Sequence, residues 1–298
     1  MTDPHADAER SRVLARREPA GAPAPVVLDS PHSGRDYPED FGAAAPFEAL
    51  RRIEDAYVDE LFADAPLAGA RLLTAFFPRS YIDANRHEEE IDPLLLSEPW
   101  PRPFTLSDRA DRGLGVIRRL IHPDLPIYDR KLAVAEIERR IRRFHRPYHD
   151  ALETMLAQTQ GRFGQVWHIN CHSMKPLGRA RNGAPAPIRE DFVLGDLDGQ
   201  SCDPAFTEFV ATALRDLGYS VAINRPFRGA EIVTRHGAPG QGRHSLQIEV
   251  NRRLYLDERA VATHAGFDRL REDLTEVVRR VADHATAAVD RLKARTAR

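Results

Sequence analysis

Apolar and polar positions along this chain fall into blocks that predict strands and helices in alternation. Pro25-Val26-Val27-Leu28 is short and β-branched and empties into Asp29-Ser30-Pro31-His32-Ser33-Gly34, which reads as a buried strand ending in a polar turn. A helix-compatible stretch covers residues 47–62, and residues 72–77 and 80–83 read as strands. Residues from about 88 to 128 are rich in proline, acids and turn formers and predict a long excursion of loops. From Asp129 onward, Leu132, Ile137, Ile141, Phe144, Tyr148, Leu152 and Met155 recur mainly at intervals of three and four. That spacing predicts a long amphipathic helix, kinked at Pro147 because proline has no N–H to donate.

Residues 165–170 (QVWHIN) form a second candidate for a buried strand, with a polar turn expected at Cys171-His172-Ser173. Asp203 is placed to cap a helix that has Pro204 in its first position. Phe206, Phe209, Val210, Ala213, Leu214 and Leu217 line one side of it, and Gly218 stops it. Residues 220–223 and 245–250 read as strands, and Phe267, Leu270, Leu274, Val277 and Val281 mark a final helix. Strands alternating with helices and no internal repeat predict a single α/β domain built on a mixed, mostly parallel sheet flanked by helices. The expected division is a flexible segment over residues 1–22 and one domain over residues 23–298.

Composition narrows the partners more than the fold. A chain of 298 residues with 42% hydrophobic and 30% charged residues can bury a sizeable core. Its formal net charge of -2 gives no global attraction to nucleic acid or to an anionic membrane. Arg139, Arg140, Arg142, Arg143 and Arg146 make one helix basic; a nucleic-acid stripe and a solvated face both fit, and the second is favoured because no aromatic partners accompany it. Cys171 and Cys202 are too few to staple the chain, and no CxxC pattern is present, so a reducing compartment is expected. The N-terminal residues lack an apolar signal core, and no apolar run reaches about 18 residues. The expectation is a cytoplasmic protein with no membrane and no nucleic-acid partner.

Chemistry concentrates where predicted strands end. His32 follows VVLDSP, His172 follows VWHINC, Glu249 interrupts SLQIEV, and Asp55 follows Arg51-Arg52-Ile53-Glu54. Side chains from distant segments converge beyond the carboxyl ends of strands in open α/β sheets. Two histidines and a carboxylate there match a catalytic zinc site that keeps one position for water. Each residue has a plainer reading as well. A histidine after a strand serves equally as a turn or hydrogen-bonding residue, and Asp55 could be placed by a helix dipole. Glu249 is harder to place, since a carboxylate among Leu246, Ile248 and Val250 is costly to bury without a partner.

The segments DSPHSG, EDAYVDELF, PRSYIDANR, HRPYHDAL, NCHSM, LGDLDGQSCDP, NRPFRGAEIVTRHG and LQIEVNRR, in that order, resemble the successive motifs of the N-formylglutamate amidohydrolases. The similarity runs from about residue 25 to residue 285. It implies a fold like the zinc carboxypeptidases and aspartoacylase, a twisted mixed sheet flanked by helices. It also implies one zinc ion per chain and hydrolysis of the amide of a small N-acyl amino acid, N-formyl-L-glutamate foremost, in histidine degradation. A deacylase or carboxypeptidase of the same fold acting on another N-acyl amino acid or peptide is the alternative. By the same resemblance His32, Asp55 and His172 would bind the metal, with Asp55 preferred over Glu54. Glu249 would be the general base and acid, and Arg86 would sit beside the scissile carbonyl. Arg79, Asn85, Asn224, Arg225, Arg228 and Arg235 would bind the substrate, with Asn224 and Gly229 shaping the loop. Many members of that family carry an Asp two positions before the second histidine; this chain has Asn170 there.

Overall fold

Runs of Val, Leu, Ile and Trp that water cannot reach become the inner strands of one seven-stranded sheet. The computed structural model describes residues 13–121, 124–178 and 186–296. Its strands are β1 (Leu14–Arg17), β2 (Val26–Ser30), β3 (Arg71–Ala75), β4 (Val166–Met174), β5 (Phe192–Gly195), β6 (Val221–Ile223) and β7 (Arg243–Asn251). They lie in the order β1-β3-β2-β4-β7-β5-β6. β2, β4 and β7 run parallel, and β5 is antiparallel to β7 and parallel to β6, so the sheet is mixed, as the alternation of elements predicts. Leu14–Arg17 is a strand inside the segment expected to be flexible, and residues 1–12 lie outside the described residues.

The chain divides into two compact units. One comprises Arg16–Ser30, Tyr57–Leu73 and Leu152–Arg298 and holds the centre of the sheet. Asp203 accepts from Ala205 N at 2.9 Å at the start of the helix Pro204–Asp216, and Gly218 follows that helix at φ 91. The helix packs on β6, and the helix Phe267–Thr296 packs on β2. Phe206, Val210, Leu214, Leu270, Leu274, Val277 and Val281 are buried, and burial of that size contributes roughly 1.5–3 kcal/mol for each large side chain. The expected turn at Cys171-His172-Ser173 does not form, because β4 continues through these residues to Met174, paired with β7 along its length.

The other unit comprises Met1–Ala15, Pro31–Ala56 and Thr74–Ala151. Residues 47–62 do not make one helix. Phe47–Arg51 and Val58–Leu61 are separate, with Asp55 in the loop between them and Tyr57 at φ 63. Residues 80–83 form a turn rather than a strand, with Tyr81 and Ile82 buried. The predicted long helix is present as Val134–Arg140, a π-helical turn Ile141–His145, and Arg146–Phe163. The widened turn falls just ahead of Pro147, whose missing N–H leaves one carbonyl of the regular ladder without its bond. Three basic residues of this helix are matched by acids: Arg139 to Asp40, Arg142 to Glu138 and Arg146 to Glu88. Arg140 is not on a solvated face at all. It is fully buried, donates to Tyr81 O, Tyr128 Oη, Phe41 O and Glu136, and lies 4.0 Å from the centre of the Tyr81 ring. Among the described residues no helix is long and apolar enough to cross a membrane.

Buried histidines give the fold a signed pH response. Burial, and then repulsion from His168, push His236 down to about 4, and burial also lowers His244. Unfolded histidines take up protons near pH 6.5. In the folded chain these two resist protonation, so their contribution to stability falls as pH drops from about 6.5 toward 4. His236→Gln should flatten that slope in thermal denaturation measured at successive pH values; an unchanged slope would assign it to other groups.

Candidate metal and active site

The side chains of the site are fixed first by backbone. His32 stands two residues beyond β2, and its carbonyl accepts from Asp55 N at 3.0 Å. Ser33 Oγ donates to Asp55 O at 3.1 Å, which ties the two segments a second time. Gly34 lets the chain after His32 run close against residues 76–77, since a Cβ there would lie 2.2 Å from Phe77 O. Asp55 and Glu54 are both buried but turn different ways. Tyr37 Oη donates to Glu54 at 2.5 Å and Arg51 Nε at 2.8 Å, so Glu54 is committed to that pair.

Asp83 organises the charge around them. It is fully buried and accepts from His32 Nε2 at 2.6 Å, Asn85 N at 3.0 Å, Arg79 Nη2 at 3.2 Å and Arg118 Nη2 at 3.0 Å. Burial alone would raise its pKa, but His32, Arg79 and Arg86 outweigh that and hold the carboxyl well below its usual range. Burial pushes Arg86 down to about 10 and Arg118 to about 9, which leaves both charged at neutral pH. An ionised carboxylate can only accept, so the proton of His32 sits on Nε2. Nδ1, 3.3 Å from Asp55 Oδ2, is then the basic nitrogen that a metal requires. Arg79 Nη1 reaches Asp55 Oδ1 at 3.2 Å, so this arginine spans two buried acids. Arg86 donates to Asn85 O at 2.5 Å and Leu114 O at 3.2 Å. The Ala84 and Arg86 carbonyls accept in turn from His149 Nε2 and His145 Nε2, at 2.9 and 2.8 Å.

The central strands carry the rest. In β4 and β7 every second residue is polar and faces the same side: His168, Asn170 and His172 in one, Ser245, Gln247 and Glu249 in the other. The residues between them, among them Ile169, Cys171, Leu246 and Ile248, are apolar and buried on the other face. Register pairs His172 with Glu249, Asn170 with both Gln247 and Asp29, and His168 with Ser245. His172 Nε2 donates to Asn170 Oδ1 at 2.7 Å, and Asn170 Nδ2 donates to Asp29 Oδ1 at 2.7 Å. His168 Nε2 donates to the same Asp29 oxygen at 2.9 Å, and its Nδ1 meets Ser245 Oγ at 2.7 Å. The charge that an acid at position 170 would bring is therefore present one residue away, at Asp29. Glu249 is 9% exposed and accepts from Gln247 Nε2 at 3.0 Å.

His32, Asp55 and His172, all buried, form a group that could hold a metal ion. The chemistry of the set fits a divalent metal of the zinc type: two imidazoles, each with its Nε2–H donated to an oxygen, and one carboxylate. The residues expected to bind substrate are differently placed. Asn224, at φ 57, spends its amide on Asp196, donating to Oδ1 at 2.7 Å and accepting from the backbone N at 3.0 Å. Arg225, Arg228 and Arg235 are exposed, and Arg228 pairs with Asp198. Sequence reasoning missed Asp83, Arg118, Asp29 and Gln247. The signal for Asp83 was the one used for Glu249, an acid beside buried apolar neighbours.

The chain is similar to known proteins over most of its length. The sequence model of the family described as N-formylglutamate amidohydrolase matches residues 24–256. An N-formylglutamate deformylase of Pseudomonas aeruginosa is 28% identical over 261 residues, covering 86% of this chain and 89% of the relative. Another, of Pseudomonas putida, is 26% identical over 257 residues, covering 85% and 87%. The crystal structure of an N-formylglutamate amidohydrolase from Ralstonia eutropha JMP134 superposes with a TM-score of 0.87 at 42% identity, covering 93% of this chain and 99% of that one.

Removing the charge of Asp83 should be costly twice over. Asp83→Asn leaves Arg118 without its buried anion and Arg79 with Asp55 alone, an expected loss of about 3–5 kcal/mol in chemical denaturation. It also unsettles the His32 tautomer, with metal affinity expected to fall about 10–100-fold. Metal titration of the metal-free variant at wild-type affinity would remove Asp83 from that role.

Proposed function

Because the chain belongs to the N-formylglutamate amidohydrolase family, we propose that it hydrolyses N-formyl-L-glutamate to formate and glutamate with one zinc ion per chain. The reading rests above all on one observation: His172 and Glu249 are register partners on adjacent parallel strands, so a metal ligand and a proton acceptor share one row of one sheet face. His32, Asp55 and His172 would hold the zinc, which when bound supplies a Lewis acid that polarises the scissile carbonyl and acidifies water. Glu249 takes a proton from the attacking water onto its carboxylate. It then hands that proton to the amide nitrogen as the C–N bond breaks. Arg86, charged at neutral pH, steadies the negative charge that develops on the carbonyl oxygen.

An acidic substrate calls for guanidinium groups, which match a carboxylate with two parallel donors. Arg225, Arg228 and Arg235 supply them from the segment that follows β6, with Asn224 and Gly229, at φ 57 and φ 114, setting the path of that segment. Arg79 contributes by keeping Asp55 and Asp83 ionised together, and Asn85 by holding Arg86 through its carbonyl.

The decisive assay supplies N-formyl-L-glutamate, N-acetyl-L-aspartate and a dipeptide to the purified protein, with and without zinc. The expected result is fastest release of glutamate from the formyl substrate, abolished by chelation and restored by zinc; preference for either competitor would overturn the substrate. Glu249→Gln should keep its zinc and lose about 10²–10⁴ in kcat. His172→Ala should hold less than one zinc per chain by elemental analysis, and full occupancy would remove His172 from the ligand set.

A further inference from the structure

One row below His172 and Glu249, the sheet carries two carboxamides. Asn170 and Gln247 are Cα partners across β4 and β7, 0% and 3% exposed, and each stands two residues before the side chain it touches. The two amides use opposite ends. Asn170 presents its oxygen to the His172 N–H, and Gln247 presents its NH₂ to the Glu249 carboxylate. The orientations are not interchangeable, because Asp29 and Glu249 as carboxylates can only accept. Asn170 Nδ2 must therefore face Asp29, which turns Oδ1 to His172, and Gln247 Nε2 must face Glu249. An imidazole N–H needs an acceptor and a carboxylate needs a donor, and a carboxamide provides either without adding charge.

The geometry points to Asn170 and Gln247 as a pair of positioning residues, neutral amides that aim the His172 ring and the Glu249 carboxylate from the row beneath. This rests on the reading of His172 as a metal ligand and Glu249 as the proton acceptor. An acid at position 247 would set two carboxylates against each other in a buried row, and an apolar residue there would leave Glu249 Oε1 without this donor. At position 170 the acceptor for His172 is kept neutral while Asp29, one hydrogen bond further, carries the charge.

The test uses the full chain and reads structure and zinc as well as turnover. Gln247→Met keeps the volume and removes the donor. It should lower kcat on N-formyl-L-glutamate about 10–100-fold with KM and zinc content near wild type, and should show Glu249 in a different rotamer in its crystal structure. Asn170→Leu, or Asn170→Ser should the first not fold, should weaken zinc binding by the metal-free protein about 10–100-fold. The exchanged pair Asp29→Asn with Asn170→Asp keeps the acceptor for His172 and the bond between positions 29 and 170, with His168 turned to its other tautomer to accept from position 29, and should restore most of that affinity, which a loss of packing alone would not allow. Wild-type kcat with an unmoved Glu249 in Gln247→Met, or unchanged zinc affinity at position 170, would overturn the proposal. A wild-type protein inactive on N-formyl-L-glutamate would instead sink the proposed substrate, with the rotamer and zinc readouts still deciding the positioning pair.

Discussion

A carboxylate sealed from water stays charged only where cations and N–H groups are brought to it, and Asp83 imposes that condition on its surroundings. Arg79, Arg118, His32 and the Asn85 amide all meet its two oxygens. Each then does something else from that position: His32 offers Nδ1 toward Asp55, Arg79 reaches Asp55, and the turn through Asn85 sets out Arg86. The irregular segment between residues 80 and 86 is thus held by polar bonds in place of a ladder, backed by His145 and His149 on the carbonyls of Arg86 and Ala84. One anion settles the tautomer of His32, the charge of an arginine and the path of a loop.

The sheet solves the opposite problem. A parallel strand buried on both faces ordinarily reads as a continuous apolar run. Here one face is polar from His168 to His172 in β4 and from Ser245 to Glu249 in β7, and its rows are satisfied laterally, from strand to strand. Asp29 accepts from Asn170 and His168, Ser245 meets His168, and Gln247 meets Glu249. Each bond contributes only about 1 kcal/mol net, yet leaving a buried partner unsatisfied would cost about 1–3 kcal/mol. The rows therefore specify arrangement more than they add stability.

Elements built on a simple period were legible from sequence, and those bent by polar demands were not. The apolar runs of β2, β4 and β7 and the capped helix Pro204–Asp216 announced themselves through β-branching, Asp203 and Gly218. Polar residues at 171–173 read as a turn, since nothing local reveals that partners on neighbouring strands will satisfy them. The stretch 47–62 had a helical pattern, but the bond from Asp55 N to His32 O and the left-handed Tyr57 interrupt it to serve the site. Arg140 read as surface because burial of a guanidinium depends on Tyr81, Tyr128 and Phe41, residues 12 to 99 positions away. His32, Asp55, His172 and Glu249 stood out through motif and strand-end position, and Asp83 carried the same local signal as Glu249, whereas Arg118 emerges only when distant segments meet.

The two-residue period of the polar face makes its side chains the alignment marks of the strands. Sliding β7 by one residue against β4 would turn Ser245, Gln247 and Glu249 onto the apolar side and bring Leu246, Ile248 and Val250 among His168, Asn170 and His172. Stranding those three polar side chains would cost roughly 3–9 kcal/mol, comparable with the whole stability of about 5–15 kcal/mol that a domain possesses. A misaligned chain is thus driven out by its own polar row, and proofreading of the strand pairing comes built into that face.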